Sequence, residues 1–463
     1  MTVPTTKKLI SEVGTVAWRI ELKRSILPVL CFVLLCSAQA AWFMVRVGPL
    51  TIPDPDMHGP AAYALSTGQS FTPVTIESDA NGNTVRVQTI TGDSRYLYLE
   101  GRHGVMADKA VKMSLLGDVG TVEQHASERQ PGKTVSVPTS THPSRTNQYF
   151  PLIYLPQSLG LRAALWMGTS AYDGWQLSRL SNVLIFMLIW TAAIVMLPRG
   201  KLVLAIVGIL PITVFMASSL MVDGTVVALC ACFVALLARI IDNDRVLRCR
   251  EISLLVFLSF LLVCAKIVYA PIVLVLLAIP GTMFSIKRKC ISAGIWVLML
   301  LMIFLPWYFT YSGTLAVVNI TDNIDFIFAH PMRSMSMIVG TLLRLPIRLP
   351  SVTMLQVLMV MIVWVVSLMK FARINKRHTH GIISWIDNNR YGCAAALSIG
   401  ISLLLMMLFL ALTWNDLASA PAFWLDGFQE RYLIPLLPFV ALAFIHNEAK
   451  TKTPKGDLCH SPV

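Results

Sequence analysis

Ser25 to Val47 reads S-I-L-P-V-L-C-F-V-L-L-C-S-A-Q-A-A-W-F-M-V-R-V, an apolar run long enough to span the hydrocarbon layer, which takes about 20 helical residues. It is too long for the core of a secretory signal peptide and has no convincing small-residue cleavage site, so it is expected to stay in the protein as the first membrane helix. Further apolar runs follow at roughly 178–197, 201–216, 222–241, 252–264, 267–284, 289–310, 351–370, 392–413 and 431–447. The expectation is an all-α polytopic membrane bundle of about ten transmembrane helices, with one large polar insertion between the first helix and the rest.

Composition agrees with that reading. Of 463 residues, 55% are hydrophobic and 14% charged, and the apolar residues come in blocks, which excludes an ordinary soluble domain. The net charge of +13 sits in short clusters between apolar runs, so it reads as membrane topology and not as a nucleic-acid surface. The nine cysteines fall in apolar runs or basic loops and none lies in the polar insertion, so no disulfide is expected. Cys230 and Cys232, two apart on a helix, face different ways and make no metal or redox pair.

Placing each basic cluster inside fixes an orientation. Lys7, Lys8, Arg19, Lys23 and Arg24 precede the first helix; Arg199/Lys201, Arg245/Arg248/Arg250, Lys287/Arg288/Lys289, Lys370/Arg373/Lys376/Arg377 and Lys450/Lys452/Lys455 follow. All land on one side if Pro151 to Gly168 lies along the outer surface as an interfacial helix and Lys266 marks an outer corner. The predicted organisation is a cytoplasmic N-terminus (1–24), the first membrane helix (25–47), an extracytoplasmic loop domain (48–177), a multi-helix membrane domain (178–447) and a cytoplasmic tail (448–463). The protein is expected in the cell membrane with both termini cytoplasmic. Within the loop domain, Val74 to Ser78 and Val85 to Ile90 around Asn81-Gly82 read as a β-hairpin, Arg95 to Glu100 as another strand, and the Ser/Thr/Pro-rich stretch from Gln130 to Asn147 as a linker.

Two constellations carry chemistry. Directly after the first helix comes I-P-D-P-D-M-H-G-P-A-A-Y-A-L-S-T-G, placing Asp54, Asp56 and His58 where the chain leaves the membrane. Carboxylates and an imidazole there suit proton removal from a hydroxyl presented at headgroup depth; equally, an exit loop is often just polar and Pro-rich. The second constellation is cationic: Arg162, Arg179, Lys266, Arg344, Arg348 and Arg431 all lie near outer helix ends, where positive charge is normally depleted. Arginine binds phosphate bidentately, so a convergent set would hold a lipid phosphate; snorkelling to ordinary membrane lipid is the other reading. Polar residues at helix ends, Asn182, Ser218, Ser219, Asp223 and Gln429, are site candidates or interhelical hydrogen-bonding groups. Asp223 also stands where it would cap a helix N-terminus. The other histidines are scattered and suggest no metal site.

The exit-loop motif P-D-x-x-x-H with A-Y-x-L-x-x-G (Pro53 to Gly68) is joined in order by Y-F-P-L-I-Y-L-P-Q-S-L-G (Tyr149 to Gly160), S-R-L-S-N (Ser178 to Asn182), A-S-S-L-M-V-D (Ala217 to Asp223), A-K-I-V-Y-A-P (Ala265 to Pro271) and F-Q-E-R-Y-L-I-P-L-L-P (Phe428 to Pro438). This series resembles a bacterial multi-pass family of unknown function related to the GT-C glycosyltransferases. The resemblance implies a GT-C-like bundle with interfacial helices over an outward cavity, and transfer of a hexose or pentose from a polyprenyl-phosphate donor to a surface glycan or lipid acceptor for cell-envelope assembly or modification. Asp54 would be the catalytic carboxylate, beside Asp56, with His58 in support. By the same resemblance Arg179, Lys266 and Arg431 would neutralise the lipid phosphate; together with Asp223, Arg344, Arg348, Gln429 and Tyr432 they are the candidate lipid-phosphate residues. Pro55 and Glu430 depart from the family's usual acidic residue and glycine. The scheme requires no cofactor, is compatible with a divalent metal, and names membrane lipids as partners and no nucleic acid. A transporter or flippase of a lipid-linked glycan and a non-catalytic scaffold are the rival classes; no inverted repeat is visible for the former.

Overall fold

The computed structural model describes residues 6–78, 84–97, 107, 110, 111, 114, 134–138, 149–313, 318–348, 354–362, 365 and 389–444. These are mostly helical. Among the described residues five helices are long and apolar enough to cross a membrane, Lys23–Arg46, Ala171–Met196, Asp223–Asp242, Ile286–Tyr311 (α10, Ile286–Met299, continuing to α11, Leu305–Tyr311) and Arg390–Thr413, and a bent pair, Ile320–Ala329 with Pro331–Arg344, would make a sixth. The first of them is the end of a longer helix, α1 (Thr6–Arg46).

The sequence expectation of about ten such helices meets proline and helix length. The run at 201–216 divides at Pro211 into α6 (Lys201–Gly208) and α7 (Pro211–Ala217). The run at 252–264 becomes α9 (Cys249–Ala265), only 17 residues. The runs at 267–284 and 431–447 form 3-10 helices, Ile267–Ala278 with Pro271 inside and Glu430–Phe444 with Pro435 and Pro438 inside. A proline removes one backbone donor and clashes with the preceding turn, so a regular α-helix does not continue through these points. The 3-10 form rises about 2.0 Å per residue, faster than the α form, so these segments reach further than their residue count suggests. The run at 351–370 is described over 354–362 and at 365, where it is helical. Between the runs at 289–310 and 351–370 the chain carries two helices, α12 (Ile320–Ala329) and α13 (Pro331–Arg348), bent by 106° where Pro331 follows His330.

In the insertion, α2 (Pro55–Thr67) follows α1, and β1 (Thr75–Ser78) pairs antiparallel with β2 (Thr84–Val87) as the hairpin expectation requires. The turn at Asn81-Gly82 lies outside the described residues. Two expectations are corrected. The predicted strand at Arg95 begins as a short helix, α3 (Ser94–Leu97), because the Asp93 carboxylate accepts the Arg95 backbone N–H and pairs with its guanidinium, turning the chain. The stretch read as a linker contributes β4 (Thr134–Pro138), whose alternating Val135 and Val137 pair with β3 (Thr89–Asp93).

The helix expected along the surface from Pro151 is present as a 3-10 turn, Pro151–Tyr154, running into α4 (Leu155–Met167). It presses on α5 (Ala171–Met196) through Gly160, where a Cβ would lie 2.1 Å from the Leu177 carbonyl oxygen. The centre of the bundle is α8 (Asp223–Asp242), buried along nearly its whole length between α5, α9 and the Glu430–Phe444 helix. Gly224 lets its first turn sit 2.7 Å, as a hypothetical Cβ, from the Ala217 Cα, which fixes Asp223 beside the end of α7. Among the described cysteines all are free.

Candidate functional site

Asp54 is placed by its backbone. Lying between Pro53 and Pro55, it adopts the left-handed conformation (φ 53°, ψ 51°), a strained choice for a residue with a Cβ that costs about 1–3 kcal/mol. Its carbonyl accepts the N–H groups of Met57 and His58, each at 3.1 Å, and so starts α2. An aspartate at this position ordinarily caps the helix with its side chain, but here no such bond forms. The carboxylate turns instead to Arg431, with Oδ2 3.1 Å from Nη2.

Arg431 stands at the start of the Glu430–Phe444 helix and is buried. Its second terminal nitrogen, Nη1, lies 3.6 Å from Asp223 Oδ2 and 2.9 Å from the Met221 sulfur. Asp223 is the first residue of α8; Val222 holds the cap position, so the capping role that sequence offered for Asp223 is not what its carboxylate does. Its other oxygen accepts a 2.6 Å bond from Lys266 Nζ. Lys266 is the corner residue between α9 and the Ile267–Ala278 helix, held in an extended conformation (φ −153°, ψ 113°). The result is a chain of alternating charge, Asp54, Arg431, Asp223, Lys266, drawn from four segments. Asp54 is the open end, its side chain 25% exposed against 1% for Asp223 and 4% for Arg431.

Aromatic rings line this chain. Lys266 Nζ sits 5.4 Å from the Tyr149 ring centre and 4.9 Å from that of Tyr432, and the Arg431 guanidinium lies 5.4 Å from the Tyr432 ring. Such contacts favour a cation where water is scarce. His58, fully buried, stacks parallel to Tyr149 and shares a 2.9 Å hydrogen bond between Nδ1 and the Tyr154 hydroxyl. Burial, and after it the positive Arg431, push the imidazole down to about 3, so His58 is neutral at ordinary pH. Burial raises the Tyr154 phenol well above its ordinary range, and that of Tyr149 is raised for the same reason.

The sequence-selected residues therefore divide. Asp54, His58, Asp223, Lys266, Arg431 and Tyr432 come together. Asp56 lies in α2, two residues along from Asp54. Gln429 is adjacent to the cluster in sequence, and its buried Oε1 has no hydrogen-bond partner among the described residues. Arg344 on α13 lies over the Phe423 ring, 5.4 Å away, and is not joined to the cluster by an ion pair among the described residues; Arg348 closes the same helix. Arg162 donates to the Ser66 carbonyl. Arg179 is a separate structure: Nε bonds Ser218 O (2.6 Å), Nη1 bonds Val47 O (2.8 Å) and Gln176 Oε1 (3.2 Å), and Nη2 bonds Phe43 O (3.0 Å). With every nitrogen engaged by neutral acceptors, it ties α1, α5 and the end of α7 together.

Tyr149, Tyr154 and Met221 were not singled out from the sequence, although all three lie inside the quoted motifs. Those motifs also bond one another: Gln157 Nε2 to Met221 O, Ser178 Oγ to Gln157 O, Asn182 Nδ2 to Ser219 O, and Tyr269 hydroxyl to Tyr432 O. Among the described residues no group of three or more His, Cys, Asp or Glu is arranged to hold a metal ion.

A family model described as "Predicted membrane protein (DUF2142)", of unknown function, matches residues 38–440 and so includes every residue of this cluster. No curated protein and no solved structure gives a match.

Proposed function

We propose, from the premise that the chain belongs to this family of predicted membrane proteins, that it is a GT-C-like membrane glycosyltransferase. It would take a sugar from a polyprenyl-phosphate donor at the extracytoplasmic face, for assembly or modification of a cell-envelope glycan. The observation that carries the proposal is the convergence of Asp54, Arg431, Asp223 and Lys266 at one partly open, aromatic-lined place. A buried arginine and lysine that share carboxylates are strong phosphate ligands, and a carboxylate at the exposed end is a fitting proton acceptor.

Orientation supports the same reading. Helix α8 starts at Asp223 and ends near Arg245, and α9 starts after Arg248 and ends at Lys266. The basic cluster is thus at the far end of both helices from the site, about 30 Å away for α8 at 1.5 Å per residue. By the positive-inside rule the site then faces outward.

In the proposed reaction the donor phosphate takes the place of the Asp54 carboxylate on Arg431, and Lys266 adds its charge from the other side of Asp223. An acceptor hydroxyl attacks the anomeric carbon; its new C–O bond forms as the bond to the phosphate oxygen breaks. The leaving phosphate keeps that electron pair, and Arg431 and Lys266 stabilise the charge. Asp54, released from its ion pair, accepts the hydroxyl proton. Asp223 does not move a proton here; it holds the two cations in place.

The test is sugar transfer from a labelled polyprenyl-phosphate donor in reconstituted vesicles. Asp54→Asn keeps the size of the side chain and cannot take the proton, so transfer falls by about 10²–10⁴-fold while donor binding persists. Asp56→Asn is milder. Full activity in both variants would remove the exit loop from catalysis.

A further inference from the structure

The buried His58 is half-satisfied: Nδ1 meets the Tyr154 hydroxyl at 2.9 Å, whereas Nε2 is enclosed and has no hydrogen-bond partner among the described residues. The ring is within electrostatic reach of Arg431, Asp54, Asp223 and Lys266. Tautomer choice follows from matching donor and acceptor strength. Tyr154 has no other hydrogen bond among the described residues, and its hydroxyl carries one proton. If Nδ1 carried the imidazole proton and donated it, both the phenol proton and the Nε2 lone pair would be stranded in a closed space. If the phenol donates to Nδ1, the Nε2–H and the phenol oxygen's lone pairs are left waiting. The two arrangements strand equal numbers of groups, but the second joins the stronger donor, the phenol, to the stronger acceptor, the imidazole nitrogen; the buried Nε2–H it leaves, within electrostatic reach of two cations, is suited to one kind of guest, an anionic oxygen.

We propose that Tyr154 locks His58 as the neutral Nε2–H tautomer and that this N–H binds a non-bridging phosphate oxygen of the lipid-linked donor. This makes His58 a binding residue and Tyr154 the residue that positions it, and neither takes the reaction's proton. The phosphate half rests on the function proposed above; the tautomer half does not. The neutral state follows from burial, and the imidazole therefore stays a one-proton donor across the working pH range.

The experiment is ¹⁵N-histidine NMR of the full chain in detergent or nanodiscs, with His58→Gln identifying the resonance. The expected signal is that of an Nε2–H tautomer unchanged between pH 5 and 8, turning to a mixture of tautomers in Tyr154→Phe. Adding a polyprenyl monophosphate moves the Nε2 proton to a stronger hydrogen bond; inorganic phosphate at equal concentration moves it less if the lipid chain directs binding and equally if the headgroup alone suffices, and either supports the proposed contact. His58→Gln weakens binding of the polyprenyl monophosphate by about tenfold or more. An Nδ1–H tautomer, or titration near 6.5, overturns the lock whatever the ligand. An unmoved Nε2 proton in protein that demonstrably retains the lipid overturns the contact alone. Failure of the wild type to bind any phosphate probe overturns the contact together with the functional reading, and the tautomer is still read independently.

Discussion

Arg179 and Arg431 are two arginines buried at the same end of the bundle, and they do opposite things. Arg179 gives its guanidinium to three backbone carbonyls and one amide oxygen, all neutral and all part of the packed helices. Arg431 gives its guanidinium to two carboxylates and a methionine sulfur, and its buried Nε has no partner among the described residues. The first arrangement is saturated, so nothing can exchange into it without unpicking helix contacts. The second holds one partly exposed carboxylate, Asp54, on the side that reaches solvent. Charge and position at a helix end do not separate an arginine saturated by neutral acceptors from one held by carboxylates; the identity of the acceptors does.

Stability gives the largest effect with which to challenge this contrast. Arg179→Ala strands the Ser218 and Val47 carbonyls in a buried place and leaves that of Phe43 with the Val47 N–H alone, and the expected loss is about 3–5 kcal/mol, read as a lower thermal midpoint in detergent. Arg179→Lys recovers only part of it, since an ammonium cannot reproduce the planar fork. Arg431→Met should cost less, about 2 kcal/mol or below, because Asp223 keeps Lys266 and Asp54 can turn to water, in contrast to the fully stranded charge of a broken buried pair. Equal losses at the two positions would make Arg431 a pin like Arg179.

The smallest effect concerns pH. Unfolded, His58 takes up a proton near 6.5; folded, burial and Arg431 hold it neutral down to about 3. The unfolded chain therefore binds more protons within that window, and stability present at pH 7 is lost as the pH falls from about 6.5 toward about 3. Between pH 7 and 6 the change is under about 1 kcal/mol, and His58→Gln should flatten the slope of melting temperature against pH in that range. An unchanged slope would place the acid sensitivity elsewhere.

Much of this was legible in the residues. The long apolar runs gave the helices at Lys23–Arg46, Asp223–Asp242 and Arg390–Thr413 almost to their ends, and Ala171–Met196 except for its first two turns, because hydropathy over about 20 residues dominates local propensity. It was less informative where proline divides a run, as at Pro211 and Pro271, since an apolar count does not see the missing donor. The strand at Thr134–Pro138 was hidden because its pairing partner, Thr89–Asp93, is distant in sequence and its composition is that of a linker. At the site, the exit-loop carboxylate and the cations Lys266 and Arg431 stood out by charge near helix ends. That Arg179 would be saturated, and that Tyr154 would reach His58, depend on contacts between segments distant along the chain, which no local pattern encodes.

Retention of a polyprenyl monophosphate by purified protein, measured by native mass spectrometry across a titration, tests the central contrast most directly. Wild type and Arg179→Lys should bind alike, while Arg431→Ala, having lost the bidentate cation from between Asp54 and Asp223, should bind at least about tenfold more weakly, with Arg431→Lys between them. Equal binding by the wild type and Arg431→Ala would contradict the account and take the lipid phosphate away from this cluster.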